Sequence, residues 1–401
     1  MLNQIKSIIF ICFLLILINY TAYSQPSGFV NLKDSKLVDG TNKLIKLNGV
    51  NLGGWLMWEG WIWGGNFNRE KLVYNKLEQT FGEEKAKWFR LQIYKNYIRK
   101  EDIKAISEMG FNVVRIPINH LVLEGDLNEP QYNENGFCLI DSVLSWCEQF
   151  NVYAVLDLHG AAGGQSGIFV SDYDAVKLWD SENNKKKTIL LWYKLAKRYS
   201  NRTIIGGYDL INESGFVNGK NLVILYQAII DTIRTVDKNH LIILEGKNLA
   251  SSFSCFKKTL DNNQIFSFHF YPWYKPKLLK KRQIKSLNKF SKKIGVPLWC
   301  GEWGEDKISI LKENKKLMED SLNNFCGIAF WTWKKVITNK NRQPLIEIKT
   351  NKEWLQFIES VKRKKKKGYS EKILHDFLKD MLYENNIPNE KMKELLKVVI
   401  N

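Results

Sequence analysis

Polar or aromatic side chains end seven of the eight short apolar segments in this sequence. These residues are Arg115, Asp157, His159, Asn212, Glu213, Glu245, His269, Tyr271, Glu302, Trp331 and Trp333. Side chains two apart share one face of a strand, so Asp157 and His159 are expected to point the same way. Parallel-strand barrels carry their chemistry where strands meet the following loops. The pattern therefore predicts one active site built from several strand ends.

Several chemistries lack the residues that they need. No His-x-His pair lies on an early segment, which argues against metal-dependent hydrolysis. Lys247 and Lys334 lie just past segment ends, and neither stands inside an apolar run as a Schiff-base lysine would. Trp and Lys follow the last two segments instead of glycine-rich phosphate loops. Neither a metal nor a cofactor is expected.

Two carboxylates remain, Glu213 on the fourth segment and Glu302 on the seventh. Such a pair can hydrolyse a glycosidic bond, because one acid protonates the leaving oxygen while the other attacks the sugar or activates water. The fourth and seventh strands of a barrel meet across its mouth. A gap of about 5–5.5 Å, the retaining geometry, is therefore predicted.

Short apolar segments alternate with longer amphipathic ones along most of the chain. The predicted strands are residues 44–52, 112–118, 152–159, 204–213, 241–246, 265–271, 297–304 and 327–333. The predicted helices are residues 69–100, 137–150, 185–199, 221–236, 280–294, 308–323 and 352–361. Near-continuous apolar strands between helices indicate a parallel sheet covered on both faces. Eight such units predict an α/β fold, a (β/α)8 TIM barrel, rather than an open sheet.

The N-terminal residues predict an export signal. Lys6 precedes an apolar run at residues 8–18, and Ala22 and Ser24 are the small residues of a cleavage site. The run is too short to span a bilayer comfortably, so residues 1–24 are predicted to be a signal peptide. An uncleaved membrane anchor is the alternative. With the signal removed, no stable membrane span is expected, and the protein is predicted to be secreted, periplasmic or at the cell surface.

The C-terminal residues differ from the rest. Residues 25–361 form the predicted catalytic barrel, and residues 362–367 are a run of Lys and Arg. Two short amphipathic patterns follow, at residues 370–384 and 389–399. Residues 362–401 are therefore predicted to be a basic linker with a small helical hairpin. The basic run is interpreted as a solvated linker, with contact to an anionic surface as the alternative.

Amino-acid composition indicates which classes of binding partner to expect. There are 60 Lys+Arg against 42 Asp+Glu, a net charge of +18, which raises the question of nucleic acid. The sequence has no nucleic-acid recognition module, and an exported protein would not meet nucleic acid inside the cell. No nucleic-acid partner is therefore expected. Fourteen Trp are typical of sugar-binding clefts, where flat rings stack on pyranose faces, although a Trp-rich core is the alternative. Five Cys remain without the signal, and this odd number argues against a complete disulfide framework.

Seven motifs in order resemble glycoside hydrolase family 5, the cellulase superfamily of clan A, and its exo-β-1,3-glucanase-like branch in particular. They are GVNLGGW at 49–55, FNVVRIP at 111–117, LDLHGAAGGQSG at 156–167, DLINE at 209–213, HFY at 269–271, GEWG at 301–304 and FWTWK at 330–334. The resemblance runs from about residue 44 to residue 361. Its motifs are strongly specific for the family and less so for the substrate.

The resemblance implies a role for each matching residue. Glu213 matches the acid/base and Glu302 the nucleophile. Asn212 matches the residue that bonds the sugar 2-OH. The other matching residues are Arg115 and Tyr271, which hold the nucleophile ionised, His159 and His269, which contact sugar or tune the acid, and Trp331, the floor of the −1 subsite. A β-glucan polysaccharide or oligosaccharide is the implied partner.

The chain also departs from the family. Ser214 stands where a Pro usually follows the acid/base, which puts the local loop geometry in doubt. Residues 128–130 spell the family tripeptide Asn-Glu-Pro, but no apolar strand precedes them, so this match is rejected. Glu245 also ends a segment and is interpreted as a supporting or structural carboxylate rather than a catalytic partner.

The substrate is less well defined than the family. The branch resemblance favours a β-1,3-linked glucan or a β-glucoside, but the stretch from Trp58 to Gly65 departs from the fungal pattern. A β-1,4-glucan or another β-glycan therefore stays open. Trp55, Trp58, Trp61 and Trp63 could line sugar subsites, or half of them could pack the loop. The alternative outside the enzymes is a non-catalytic barrel that binds carbohydrate. The presence of both carboxylates argues against this alternative.

Overall fold

A computed structural model describes residues 28–67, 69–124, 132–168, 171–172, 175–272, 275–305, 307–320, 322–338, 343–363 and 368–397. The predicted signal peptide lies outside the described residues. So do the rejected tripeptide at residues 128–130 and residues 364–367 of the basic run.

Eight parallel strands close into a barrel, which confirms the predicted fold. A hairpin of β1 (Asn31–Lys33) and β2 (Lys36–Val38) comes first. The barrel strands follow as β3 Gly49–Asn51, β4 Val113–Asn119, β5 Tyr153–Gly160, β6 Ile205–Asp209, β7 Ile242–Glu245, β8 Gln264–Phe270, β9 Leu298–Trp303 and β10 Phe325–Phe330. Pairing runs in chain order, and β10 closes the barrel against β3. Every residue of the eight strands is buried, which is why the segments are apolar without strict alternation.

Helices cover the outside of the barrel. They are α1 Glu70–Phe81, α2 Glu83–Asn96, α3 Lys100–Glu108, α4 His120–Leu123, α5 Glu134–Phe150, α6 Glu182–Tyr199, α7 Gly219–Val236, α8 Lys277–Ile294, α9 Ile308–Met318, α10 Lys352–Glu359, α11 Lys372–Asp380 and α12 Glu390–Leu396. The single helix predicted at residues 69–100 is wrong. It divides at Gly82, which has a φ of 86° and donates its N–H to the Glu78 carbonyl. A residue without Cβ adopts this conformation at low cost.

Apolar side chains fill the floor of the barrel. An inner apolar cluster includes Val113, Val155, Ile243 and Trp299 from four strands. Trp299 also donates its indole N–H to the Leu47 carbonyl at 2.9 Å. The hairpin closes this end, with Val30 and Leu37 in the same cluster. The packed floor leaves the opposite end of the barrel for polar side chains.

The C-terminal tail packs into the main core. β12 (Ile346–Ile348) pairs parallel with β11 (Lys334–Val336) and antiparallel with β13 (Ile387–Pro388). Phe377 of α11 stacks on Trp354 of α10 at 3.8 Å between ring centroids. Buried tail residues that join the core are Ile373, Leu374, Phe377, Met381, Met392 and Leu396. The tail therefore shares its apolar contacts with the outer helices of the barrel.

Two further properties bear on the sequence predictions. In the described part of the chain, no helix combines the length and the apolarity that a bilayer span requires. The cysteines within the described residues are free thiols, and three of the five are buried, namely Cys147, Cys300 and Cys326.

Candidate active site

The eight residues singled out from the motifs converge at the carboxyl ends of the strands. Arg115, His159, His269 and Glu302 lie within barrel strands. The other four, Asn212, Glu213, Tyr271 and Trp331, lie one to four residues beyond a strand end. Parallel strands bring their carboxyl ends to one edge, so residues far apart in the chain meet there.

Glu302 is held from both sides. Its Oε1 accepts a hydrogen bond from the Arg115 guanidinium at 2.6 Å, and its Oε2 accepts one from the Tyr271 hydroxyl at 2.9 Å. Burial raises the pKa of Glu302 above its usual value, although His269 and Arg115 oppose the shift, and the charge of Glu213 adds to it. The family resemblance implied that Arg115 keeps this group ionised. Arg115 does favour the ionised form, but burial outweighs it.

Glu213 faces Glu302 across the mouth. Its Oε1 lies 2.7 Å from Nδ1 of His269, and its backbone N–H donates to Oε2 of Glu245 at 2.7 Å. One oxygen of Glu213, one oxygen of Glu302 and a ring nitrogen of His269 all lie within 4.8 Å of one another. The two carboxylates are therefore near enough to act on the same bond from opposite sides.

His269 lies among three carboxylates. Its Nδ1 is 3.5 Å from Oε2 of Glu302, and its Nε2 is 3.1 Å from Oε1 of Glu245. Burial opposes the charged imidazole, but Glu245, Glu302 and the hydrogen bond to Glu213 outweigh burial and raise its pKa well above the usual value. A protonated His269 at neutral pH offsets part of the negative charge at the mouth.

Arg115 is the centre of a fully buried polar cluster, called here the Arg115 cluster. Its guanidinium contacts Asn51, Asp157, Asp209, Asn212, Glu245 and Glu302 at 2.6–3.1 Å. Burial raises the pKa of Asp157 to about 8, and it raises that of Asp209 well above its usual value. Glu245 is the exception. Burial would raise its pKa, but His269, Arg115 and the Glu213 N–H together lower it. Arg115 and a protonated His269 together supply two positive charges to four buried carboxylates, so some of the carboxylates keep a proton.

The side chains beside Glu302 suit contacts to a sugar. His159 stacks on Trp331 at 5.3 Å between ring centroids, with 17° between the planes. Its Nδ1 lies 2.7 Å from Oδ2 of Asp157, and its Nε2 lies 3.3 Å from Nδ2 of Asn212. An Nδ1–H tautomer satisfies both contacts, and burial lowers the His159 pKa to about 4, so the ring is neutral.

A cavity of about 300 Å³ opens above the two glutamates. Seven of its lining residues are among those predicted from the sequence, namely Trp61, His159, Glu213, His269, Tyr271, Glu302 and Trp331. The sequence did not predict the other seven, which are Glu59, Ile168, Asn248, Leu249, Ser251, Lys275 and Gln283. Of the four tryptophans after β3, Trp55, Trp58 and Trp63 are buried in the core, and Trp61 lines the cavity. No local signal separated Trp61 from its neighbours, because the difference is a tertiary contact.

The loops that follow β6 and β7 hold each other. Glu213 has a φ of 40°, and Asn248, Leu249 and Ala250 have φ values of 54–56°. The Asn248 N–H donates to the Gly215 carbonyl at 2.6 Å. Ser214, at the departure from the family pattern, donates its hydroxyl to the Gly246 carbonyl at 3.3 Å. Left-handed backbone in non-glycine residues costs energy and persists where surrounding contacts enforce it. These cross-loop bonds hold Glu213 in position without a proline.

Glu213, His269 and Glu302 also have the donor set that could hold a divalent metal ion. Their contacts to one another and to Arg115 and Tyr271 occupy the same oxygens and nitrogen. Two carboxylates with a histidine between them match an acid/base pair at least as well as a metal centre.

The sequence is similar to those of known proteins. Residues 74–336 match the family model described as cellulase, glycosyl hydrolase family 5. A β-xylosidase of Phanerodontia chrysosporium is 28% identical over 314 positions, which cover 74% of this chain and 65% of that protein's length. Endoglucanase C of Acetivibrio thermocellus is 25% identical, over 74% of this chain and 94% of that protein. A probable glucan 1,3-β-glucosidase A of Aspergillus fumigatus is 29% identical, over 64% of each chain.

Solved structures show the same fold. A rutinosidase from Aspergillus niger superposes with a TM-score of 0.60 at 17% identity, covering 75% of this chain and 94% of that one. An endogalactoceramidase superposes with a TM-score of 0.60 at 18% identity, covering 88% of this chain and 84% of that one. The family model covers well over half of the sequence, and the chain belongs to the cellulase family, glycosyl hydrolase family 5, and is a glycoside hydrolase.

Proposed function

We propose that the protein is a secreted, retaining β-glycosidase that hydrolyses β-glucan by double displacement. The observation that carries the proposal is the pair of carboxylates, Glu213 and Glu302, with oxygens within 4.8 Å of each other beside the cavity. A retaining enzyme needs this short separation, because one carboxylate must reach the sugar carbon while the other reaches the leaving oxygen.

In the first step, a Glu302 oxygen attacks the anomeric carbon, and the bond from that carbon to the leaving oxygen breaks. Glu213 gives its proton to the leaving oxygen, so the products are a glycosyl ester of Glu302 and a free alcohol. In the second step, Glu213 takes a proton from water and the water oxygen attacks the anomeric carbon. Glu302 departs as a carboxylate, and Glu213 again holds a proton. The hydrogen bonds from Arg115 and Tyr271 to Glu302 stabilise its carboxylate both when it attacks and when it departs.

A β-1,3-glucan or a small β-glucoside is the favoured substrate. The glucan 1,3-β-glucosidase relative supports this choice. The cavity supports it as well, because about 300 Å³ is at the lower end of ligand-site volumes and suits the end of a glycan chain. Trp61 and Trp331 supply flat faces on which sugar rings can stack.

Endo-acting hydrolysis of β-1,4-glucan is the second candidate. Endoglucanase C matches over 94% of its length, a larger share than the glucosidase relative. Hydrolysis of laminarin, cellulose, mannan and xylan, with measurement of product lengths, separates the candidates. Single glucose units released from laminarin support the first, and cello-oligosaccharides of mixed length support the second.

Retention of anomeric configuration is the test of the mechanism itself. Proton NMR of the first product formed from a β-glucoside is expected to show the β-anomer before mutarotation. An α-anomer would contradict the assignment of Glu302 as nucleophile.

Secretion is tested separately, by N-terminal sequencing of the protein recovered outside the cytoplasm. Cleavage after Ser24 is expected.

A further inference from the structure

The two halves of the catalytic cavity present different side chains. Strands β5, β6, β7 and β8 are neighbours in the barrel, and β9, β10, β3 and β4 make up the other half. The tryptophans that line the cavity, Trp61 and Trp331, follow β3 and β10, in the half of the proposed nucleophile. The half of the proposed proton donor instead presents Ile168 after β5 and Leu249 after β7.

A third apolar side chain, Phe216, lies at the edge of the second half. It is three positions after Glu213 and 89% exposed, which is unusual for a phenylalanine. Gly215 joins the neighbouring loops, because its carbonyl accepts from the Asn248 N–H at 2.6 Å and a Cβ there would lie 2.9 Å from Cα of Ser166. Phe216 therefore lies where the loops after β5, β6 and β7 meet. The three apolar residues, called here the apolar rim, are Ile168, Phe216 and Leu249.

The backbone places Leu249 in the cavity at an energetic cost. Asn248, Leu249 and Ala250 have φ values of 54–56° in succession, in the left-handed region that non-glycine residues adopt singly rather than in runs. Strained backbone of this kind persists where other contacts enforce it, and it is concentrated at ligand-binding and catalytic sites. Here the enforcing contacts are the bond from Asn248 to Gly215 and the bond from the Ser252 N–H to the Lys247 carbonyl at 3.1 Å. The cost points to a function for the Leu249 side chain in the cavity.

Polar groups of the same half are partly engaged with one another. Lys275 Nζ donates to Gln283 Oε1 at 3.3 Å, and the Ser251 hydroxyl donates to the Asn248 carbonyl at 2.6 Å. A sugar in this half would need hydrogen-bond partners for several hydroxyls, because a desolvated hydroxyl without a partner is costly. An apolar group needs none and gains from burial against the rim. This half therefore suits an apolar leaving group better than a second sugar.

The leaving group lies in this half because Glu213 protonates the leaving oxygen. We propose that the apolar rim binds the alkyl aglycone of a β-glucoside, which departs as an alcohol once Glu213 has given its proton to the glycosidic oxygen. The inference rests on the proposed function and selects the β-glucoside from its favoured substrates. A bilayer surface could also contact Phe216. Ile168 and Leu249 line the cavity itself, however, which an aglycone reaches and a bilayer does not.

The test compares methyl, butyl and octyl β-glucosides, with the octyl compound below its micelle concentration. The three alcohols are similar leaving groups, so the chain length changes mainly the contact with the rim. Dissociation constants are measured in a Glu302→Gln background that prevents turnover, and kcat/KM is measured for the wild-type chain. Affinity is expected to rise about twofold to fourfold for each methylene that the rim buries, and about tenfold or more from methyl to octyl. Equal affinity for the methyl and octyl compounds would overturn the proposal.

A rim variant and a matched control separate the rim from general stickiness. The rim variant carries Phe216→Asn and Leu249→Asn, because Asn tolerates the left-handed backbone at residue 249 while it removes the apolar surface. The control carries Leu190→Asn and Leu322→Asn, two exposed leucines on α6 and just before β10. The rim variant is expected to lose about fivefold or more of the preference for octyl over methyl, and the control less than about twofold. A Phe216→Leu, Leu249→Met variant is expected to keep the preference, since it keeps the apolar surface.

Three results would overturn the proposal. The first is an equal loss in the rim and control variants. The second is tighter rim-dependent binding of laminaribiose than of octyl β-glucoside, as expected for a sugar leaving group. The third is binding to phosphatidylcholine vesicles that falls more in the rim variant than octyl binding does. Hydrolysis is scored separately, and its absence on all three glucosides would contradict the proposed function without changing what the affinities say about the rim.

Discussion

Two buried cations, Arg115 at the barrel mouth and Lys334 under the tail, have very different partners. Arg115 contacts four carboxylates and two amides. Lys334 contacts one carboxylate, Asp102, at 2.7 Å, and donates to the carbonyls of Tyr97 and Met381 at 2.9 and 3.1 Å. Burial lowers the pKa of Lys334, although Asp102 opposes the shift.

The difference between the two groups is charge balance. Lys334 and Asp102 neutralise each other, and Asp102 also accepts from the Trp333 indole at 2.8 Å, so this pair joins the tail to the barrel without spare charge. The Arg115 cluster has an excess of negative charge, which burial turns into raised pKa values. An excess of buried negative charge lowers stability. It is expected at catalytic sites, where side chains must gain and lose protons. We therefore expect variants of the Arg115 cluster to change kinetics and variants of the Lys334 pair to change stability.

The largest expected effect is that of Glu302→Gln. Loss of the nucleophile is expected to lower kcat by about 10⁴-fold or more. Gln has nearly the shape of Glu, and its carbonyl oxygen can accept from one of the two donors, Arg115 or Tyr271. Near-wild-type circular dichroism and melting would show that the fold is intact. Substantial turnover by a folded variant would contradict the role assigned to Glu302.

Glu213→Gln is expected to cost about 10²–10⁴-fold on a substrate with a poor leaving group, since the proton donor is lost. On a dinitrophenyl β-glucoside, whose leaving group needs no proton, the first step should be almost unimpaired. External azide is then expected to restore turnover by replacing water as the nucleophile of the second step. Equal losses on both substrates would mean that Glu213 does not act as the acid.

Lys334→Met is expected to lower the free energy of unfolding by about 3–5 kcal/mol, because Asp102 is left buried and unpaired. Chemical denaturation measures the loss, and kcat per folded molecule should stay near the wild-type value.

Removal of residues 364–401 acts on the same region. It removes Phe377 and Met381 from the core, so a lower melting temperature is expected with catalysis on a small β-glucoside largely unchanged. A large fall in kcat in either stable variant would show that the tail shapes the active site.

A change of pH is expected to act on stability through Asp157. The pKa of Asp157 is about 8 in the fold against an ordinary 3.8, so its contribution to stability is present below pH 4 and is lost as pH rises through 8. Stability is therefore expected to fall with rising pH by up to about 1.4 kcal/mol per unit from this group. Asp157→Asn should flatten the dependence of unfolding free energy on pH between 5 and 8. An unchanged slope would mean that another carboxylate of the Arg115 cluster holds the proton.

The acidic side of the pH–activity profile gives a further test of the Arg115 cluster. As the proposed nucleophile, Glu302 would have to be ionised. Its pKa is raised, so kcat/KM is expected to fall as pH drops through a value above 4.5. Tyr271→Phe removes a hydrogen bond to the ionised form and should move this limb to higher pH. A shift to lower pH would contradict the assignment of the limb to Glu302.

The sequence alone determined the barrel and the set of residues at its mouth. Apolar runs report burial on both faces, and parallel strands place their ends together, so Arg115, Glu213 and Glu302 could be assigned to one site. Local pattern did not predict the break at Gly82, because one positive φ value in an otherwise helical stretch leaves the periodicity almost unchanged.

Tertiary structure alone decided which loop residues enter the site and how charge is shared there. Trp61 and Trp63 have the same local setting, yet one lines the cavity and the other is buried under the tail beside Phe377. Lys275 and Ser251 reach the cavity from loops whose paths depend on contacts distant in sequence. The raised pKa of Asp157 likewise depends on burial and on Glu245, 88 positions later in the chain. Periodicity and strand ends are properties of neighbours in sequence, whereas loop paths, burial and electrostatic coupling arise only when the chain has closed on itself.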